Sequence, residues 1–333
     1  MIIDVHGHYT TAPAALNAYR GAQVTQLNDP RKGSVKISDD DIRESLEAGQ
    51  LKLQRERGTD LTLFSPTAAA MGHHFGGPLI SLYWSQTCNE LVQRVCSLYP
   101  KNFIGVCMLP QSPGVSPANC AAELDRCVRE FGFVGCNLNP DPSGGYWTDP
   151  PLIDEWWFPL YEKMVELDVP AMIHVAASCN PNFHHTGAHY MNGDTTAFVQ
   201  FLQHSSLFKR FPKLRFVLPH GGGAIPYHWG RYRGIAQDQG WPGPETLLDN
   251  VFFDTCVYDQ LGMQTLVGNI GADNVLFASE MIGAVRGKDP TTGRYFDDTK
   301  PYLDALNLSD ADRRKIFETN ALRVYPRLKG RLT

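Results

Sequence analysis

Eight short apolar segments, each followed by helical or turn-rich sequence, constrain this chain more than any other feature. They occupy residues 1–9, 60–65, 102–108, 133–138, 169–175, 214–220, 251–255 and 274–280, about 40 residues apart on average. Such segments, rich in Val, Ile, Leu and Phe, are the composition of buried strands. Helical patterns fall between them. Ser38 with Asp39, Asp40 and Asp41 reads as a cap for a helix that carries Ile42, Leu46, Leu51 and Leu53 and stops at Gly58. Further helices are predicted over 79–98, around Ala121 to Val128, over 154–167, 194–208 and 309–323. Alternation at this spacing implies parallel strands joined by crossover helices, and eight such strands close a barrel. The expected fold is α/β: a (β/α)8 TIM barrel of one domain, 1–333, with loop insertions at its C-terminal face. A doubly wound sheet also alternates, but no Gly-rich dinucleotide turn follows the first strand. The sequence shows no internal repeat and no linker.

In a barrel of this kind function sits at the C-terminal ends of the strands. The first strand ends His6-Gly7-His8, the fifth in His174, the sixth in His220 and the eighth in Glu280. Residues i and i+2 of an extended chain face one side, so His6 and His8 point together. A bare His-x-His could be two hydrogen-bonded core residues, because buried polar groups need partners. Convergence of His6, His8, His174 and Glu280 on one mouth instead suits a zinc-type divalent ion at about 2.0–2.2 Å, with room for water whose pKa falls toward about 7.

Composition limits the alternatives. The chain has 333 residues, 43% of them hydrophobic, and a net charge of −5. A mildly acidic chain with no basic run is not expected to bind nucleic acid. No stretch of about 18 apolar residues suggests a membrane span. A cleaved N-terminal signal would remove the histidine pair, and eight scattered cysteines without a C-x-x-C read as buried thiols in a reducing compartment, so a cytoplasmic protein is expected.

The histidine pair on strand 1, the histidines on strands 5 and 6 and an acid after strand 8 resemble the amidohydrolase superfamily over nearly the whole chain. Strand 4 ends Asn137-Leu138-Asn139, without the lysine or carboxylate that bridges two metals in binuclear members, so one metal ion is implied, zinc first and manganese second. Pro219-His220-Gly221-Gly222-Gly223 with Pro226 and Arg231 resembles the branch that contains non-oxidative decarboxylases of aromatic and unsaturated acids. Those typically carry Asp after strand 8, where this chain has Glu280. That departure, the opening Ile3 to Thr10 and the His189 to Asp194 segment are similar to the hydratases of that branch, which add water to an unsaturated oxo-tricarboxylate such as 4-oxalomesaconate.

The resemblance implies a small polycarboxylate substrate and a homodimer. Hydration requires a nucleophilic water, a proton delivered to carbon and a grip on several carboxylates. Glu280 is expected as ligand and general base, His220 to polarise the substrate, and Tyr190 to donate a proton or bind an oxygen. Arg231, Arg233 and Arg286, whose planar forks match carboxylates, and Asn192 are the substrate-binding candidates. His73, His74, His184 and His185 could belong to the pocket rim or be plain loop residues. Other readings are a decarboxylase on the same site, an amide or ester hydrolase, and a catalytically inert barrel used for binding.

Overall fold

The computed structural model describes residues 1–183, 186–203 and 206–332. Its strands are β1 (Ile3–His8), β2 (Leu61–Ser65), β3 (Phe103–Gly105), β4 (Cys107–Met108), β5 (Cys136–Leu138), β6 (Ala171–Ile173), β7 (Phe216–Leu218), β8 (Val251–Asp254) and β9 (Val275–Leu276). All neighbours pair in parallel, in the orders β1-β2-β3 and β4 through β9. β3 and β4 are one barrel stave interrupted at Val106. The Val106 N–H still donates to Phe64, and the Cys107 N–H switches to Gly135. The other seam is closed by Val5 N–H to the Phe277 carbonyl (3.0 Å) and Glu280 N–H to the His6 carbonyl (2.9 Å). The ring is therefore complete, and the eight sequence segments are its eight staves.

Two apolar layers hold it. Ile3, Val5, Leu63, Val217, Phe252 and Leu276 fill the barrel interior and meet the C-terminal Tyr325 and Leu328. A larger layer packs the outer strand faces against the helices, with Trp157, Tyr161, Phe198, Phe201 and Phe216 at its centre. Burial on both faces explains why the strands read as unbroken apolar runs rather than alternating ones.

One irregularity sets up everything at the mouth. Ile3 pairs with Leu61 and Asp4 with Thr62, but Gly7 pairs with Phe64 and His8 with Ser65, so β1 carries one residue more than β2 across that step. Strict alternation would place Val5 opposite in facing to His6 and His8. The bulge resets the parity, so Val5 packs in the interior while both imidazoles also turn into the barrel. Gly7 is required by close approach: a Cβ there would lie 2.4 Å from the Thr62 methyl and 3.0 Å from the Leu63 carbonyl.

Several local expectations change. A further helix, Ala15–Thr25, lies between the first strand and the Ser38-capped helix. The 38–58 helix has the predicted Ser38 capping box and Gly58 terminus, but breaks into Asp39–Glu47 and Gln50–Arg57 at Gly49. A Cβ at Gly49 would sit 2.9 Å from the Ser45 carbonyl. The helix expected over 194–208 starts earlier, as Thr186–Gln203, so His189 and Tyr190 lie in its first turn and a half. Helices Trp229–Gln239 and Gln260–Ile270 were not anticipated. No described helix is long and apolar enough to cross a membrane.

Candidate metal centre and active site

His6 and His8 end β1, His174 follows β6, and Glu280 follows β9. All four are buried, and one ligand atom from each lies within 4.8 Å of the other three. The partners of the outer ring nitrogens determine what the inner ones present. His6 Nδ1 is 2.7 Å from the acceptor-only carboxylate of Asp254. His8 Nδ1 is 2.7 Å from Ser65 Oγ, whose own hydroxyl donates to the Pro66 and Gly7 carbonyls. His174 Nδ1 donates to the Val175 carbonyl at 2.8 Å. Each imidazole therefore carries its proton on Nδ1 and turns the Nε2 lone pair inward.

That arrangement is unfavourable by itself. His6 Nε2 and His8 Nε2 face each other at 2.9 Å, and the buried His174 Nε2 has no hydrogen-bond partner. Burial, then the neighbouring imidazoles, hold His8 and His174 far below the usual histidine range, so neither relieves the crowding by protonation. Lone pairs aimed at one point fit a cation shared between them. Ligand atoms about 2.0–2.2 Å from a common ion stand roughly 3–4.5 Å apart, close to the spacing here. The three imidazoles and a carboxylate thus suit a divalent metal, and Asp254 and Ser65 orient the rings as outer partners commonly do.

His220, after β7, completes the mouth. Its Nδ1 is 2.8 Å from Asp194 Oδ2, and its buried Nε2 has no partner. Burial alone pushes His220 down, but Asp194, Glu280 and Asp254 outweigh it and raise the ring to about 9. Tyr190 stacks on His220 at 5.4 Å and meets His174 edge-on at 5.3 Å. The chain reverses after His220 through Gly221, Gly222 and Gly223, all with positive φ. Side chains there would strike Val257 and Phe253 at 2.4 Å. The Gly221 N–H donates to the second oxygen of Asp254, so one carboxylate ties this turn to His6. His220 and Glu280 themselves have left-handed backbones, φ 53° and 50°, a strain of about 1–3 kcal/mol each that the surrounding packing must hold.

A cavity of about 570 Å³ opens beside these residues. His220, Glu280, Tyr190 and Tyr258 form its polar wall, and Val257, Leu261, Leu266 and Val285 contribute to its apolar side. Tyr258 donates to Glu280 Oε2 at 3.1 Å.

The other expected residues are placed elsewhere. Arg231 and Arg233 are exposed on helix Trp229–Gln239, with Arg233 Nε 3.1 Å from Glu245. Asn192 is exposed and accepts from Thr196 one helical turn on. Arg286 is exposed, immediately after the cavity-lining Val285. None of these four lines the cavity. Position in sequence located the segments but not the helix faces that Arg231, Arg233 and Asn192 occupy, nor the exposure of Arg286 in its loop. His73 is buried with Nδ1 3.3 Å from Ser81, and His74 is half-buried; neither lines the cavity. His184 and His185 lie outside the described residues.

Asp254, Asp194, Tyr258 and Ser65 were missed. Asp254 and Ser65 end strands and were visible to the same strand-end rule that selected the histidines. Asp194 and Tyr258 lie beyond strand ends and carried no such signal.

Burial holds His73 down to about 3. Its folded value lies below the unfolded one, so its contribution to stability is full above about 6.5 and declines as pH falls toward 3. The difference between pH 6.5 and 5 amounts to about 2 kcal/mol, at about 1.36 kcal/mol per pH unit. His73→Gln is expected to reduce the acid sensitivity of unfolding by that amount in urea titrations at the two pH values. An unchanged pH dependence would contradict it.

The chain matches the amidohydrolase family over residues 3–327. It is 57% identical over 335 residues to a 2-keto-4-carboxy-3-hexenedioate hydratase of Sphingobium sp., covering 100% of this chain and 98% of that protein. The crystal structure of a 4-oxalomesaconate hydratase from Rhodopseudomonas palustris superposes with a TM-score of 0.92 at 56% identity, covering 100% of this chain and 98% of that one. A 5-carboxyvanillate decarboxylase from Novosphingobium aromaticivorans, solved with manganese bound, shares the fold at a TM-score of 0.68 and 19% identity, with 98% and 97% of the two chains covered. With its closed parallel barrel and its strand-end histidines and carboxylate, this chain belongs to the amidohydrolase family.

Proposed function

We infer that this protein is a metal-dependent hydro-lyase that adds water across the C=C bond of 4-oxalomesaconate, giving 4-carboxy-4-hydroxy-2-oxoadipate, as in bacterial breakdown of protocatechuate or gallate. The full-length likeness to the two hydratases carries this reading. His6, His8, His174 and Glu280 would hold one divalent ion. Zinc suits this donor set, and manganese, present in the related decarboxylase, is the second candidate. An ion there makes water acidic enough to act as a nucleophile near neutral pH.

In this reading Glu280 accepts a proton from the attacking water as oxygen bonds to one alkene carbon. The adjacent carbon takes a proton from a donor, and the cycle closes when the proton held by Glu280 returns to that donor through solvent, so that one water in total is added. Tyr190, beside His220 at the cavity wall, is the donor we favour. His220 is held at Nδ1 by Asp194, which directs its free Nε2 toward a substrate oxygen. The apolar side of the cavity receives the carbon chain. Arg286 is the arginine we favour for a substrate carboxylate, since its neighbour Val285 already lines the cavity. We further propose a single domain over 1–333, a homodimer and a reducing cytoplasmic setting, which suits eight cysteines that are all free.

The test is direct. Purified protein with 4-oxalomesaconate should remove the enone absorbance without releasing CO₂. Stoichiometric CO₂ from an aromatic or muconate-type acid, with 4-oxalomesaconate untouched, would replace this reading with decarboxylation.

A further inference from the structure

Glu280 is asked to do two things, to hold a metal ion and to take a proton. A carboxylate that rotates freely presents two equivalent oxygens and does neither selectively. The structure removes that equivalence. The Tyr258 hydroxyl donates to Oε2 at 3.1 Å, leaving the other oxygen without this bond. A carboxylate oxygen can only accept, so the phenol hydroxyl is the donor and its one hydrogen is directed at Oε2.

The framework behind the contact is rigid. Thr255, three residues before Tyr258, exchanges two hydrogen bonds with Ala278, two residues before Glu280: its hydroxyl donates to the Ala278 carbonyl at 2.9 Å and receives the Ala278 N–H at 2.7 Å. The Glu280 N–H is tied to the His6 carbonyl, and its own carbonyl accepts from Gly283. The tyrosine ring packs against the barrel-interior cluster. The Glu280 backbone and the Thr255–Ala278 junction beside Tyr258 are thus held by hydrogen bonds that do not depend on the Tyr258–Glu280 bond itself.

We propose that Tyr258 is a positioning residue that makes the two oxygens of Glu280 inequivalent, reserving one for ligation and the other for the proton. This rests on the reading of Glu280 as ligand and base. Outer partners of metal ligands typically contribute about 10–100-fold in affinity or turnover, and Tyr258→Phe should fall in that range. The ring and its packing are kept and only the donor is lost.

The experiment measures kcat and KM with 4-oxalomesaconate, and separately the visible absorption of the cobalt(II)-substituted protein, with Tyr146→Phe, at an exposed tyrosine that does not line the cavity, as the control. The expected result is a kcat lower by about 10–100-fold, a KM near the wild-type value, and a changed cobalt spectrum in Tyr258→Phe alone. A raised KM with unchanged kcat and spectrum would overturn the proposal and reduce Tyr258 to cavity wall. An unchanged spectrum with unchanged kinetics would overturn it equally. The spectrum needs no substrate, so failure of the hydratase reading leaves this test intact and distinguishable.

Discussion

Glu280→Gln is expected to retain a bound metal ion and to lose turnover by about 10²–10⁴-fold, the usual range for a general base. The amide is nearly isosteric, keeps an oxygen that can ligate, and leaves the backbone bonds to His6 and Gly283 untouched. It cannot accept a proton at neutral pH. The measurement pairs metal content by elemental analysis with kcat. Near-wild-type turnover would remove Glu280 from the role of base. Loss of the metal together with activity would make it chiefly a ligand.

His6→Ala and His8→Ala should each weaken metal binding by more than the about 10–100-fold that loss of an outer partner costs. The physical reason is the facing pair of Nε2 lone pairs at 2.9 Å, which a shared cation relieves. The consequence is measurable without substrate. Added metal should raise the unfolding temperature of the native protein, because a ligand that binds only the folded chain stabilises it by RT ln(1 + [L]/Kd). In either variant that rise should shrink or vanish at the same metal concentration. An undiminished rise and full metal content in both variants would refute the site. His6→Ala should show the larger loss, since it also strands the Asp254 carboxylate that joins His6 to the turn after His220.

Much of this architecture was legible in the order of residues alone. A parallel strand buried on both faces announces itself as a short apolar run, and its last residue marks where function sits in a barrel. That is why His6, His8, His174, His220 and Glu280 could be named from eight segments. The arginines were less legible. Arg231 and Arg233 follow the sixth strand as expected, but their side chains are exposed on a helix whose face was set by Trp229 and Ala236 packing inward.

The sequence by itself determined the eight staves, the closing number of the barrel and the donors at its mouth, because these follow from local apolar runs and from chain order. Tertiary structure alone decided how the donors act together. The bulge between Asp4 and Gly7 exists only against β2, and it turns both first-strand imidazoles inward. Asp254 reaches His6 across 248 residues of chain, and Tyr258 reaches Glu280 beside the paired Thr255 and Ala278. Tautomers, ring orientations and the pairing of carboxylate oxygens depend on partners brought together by barrel closure. No local pattern encodes which strand ends will meet at hydrogen-bond distance.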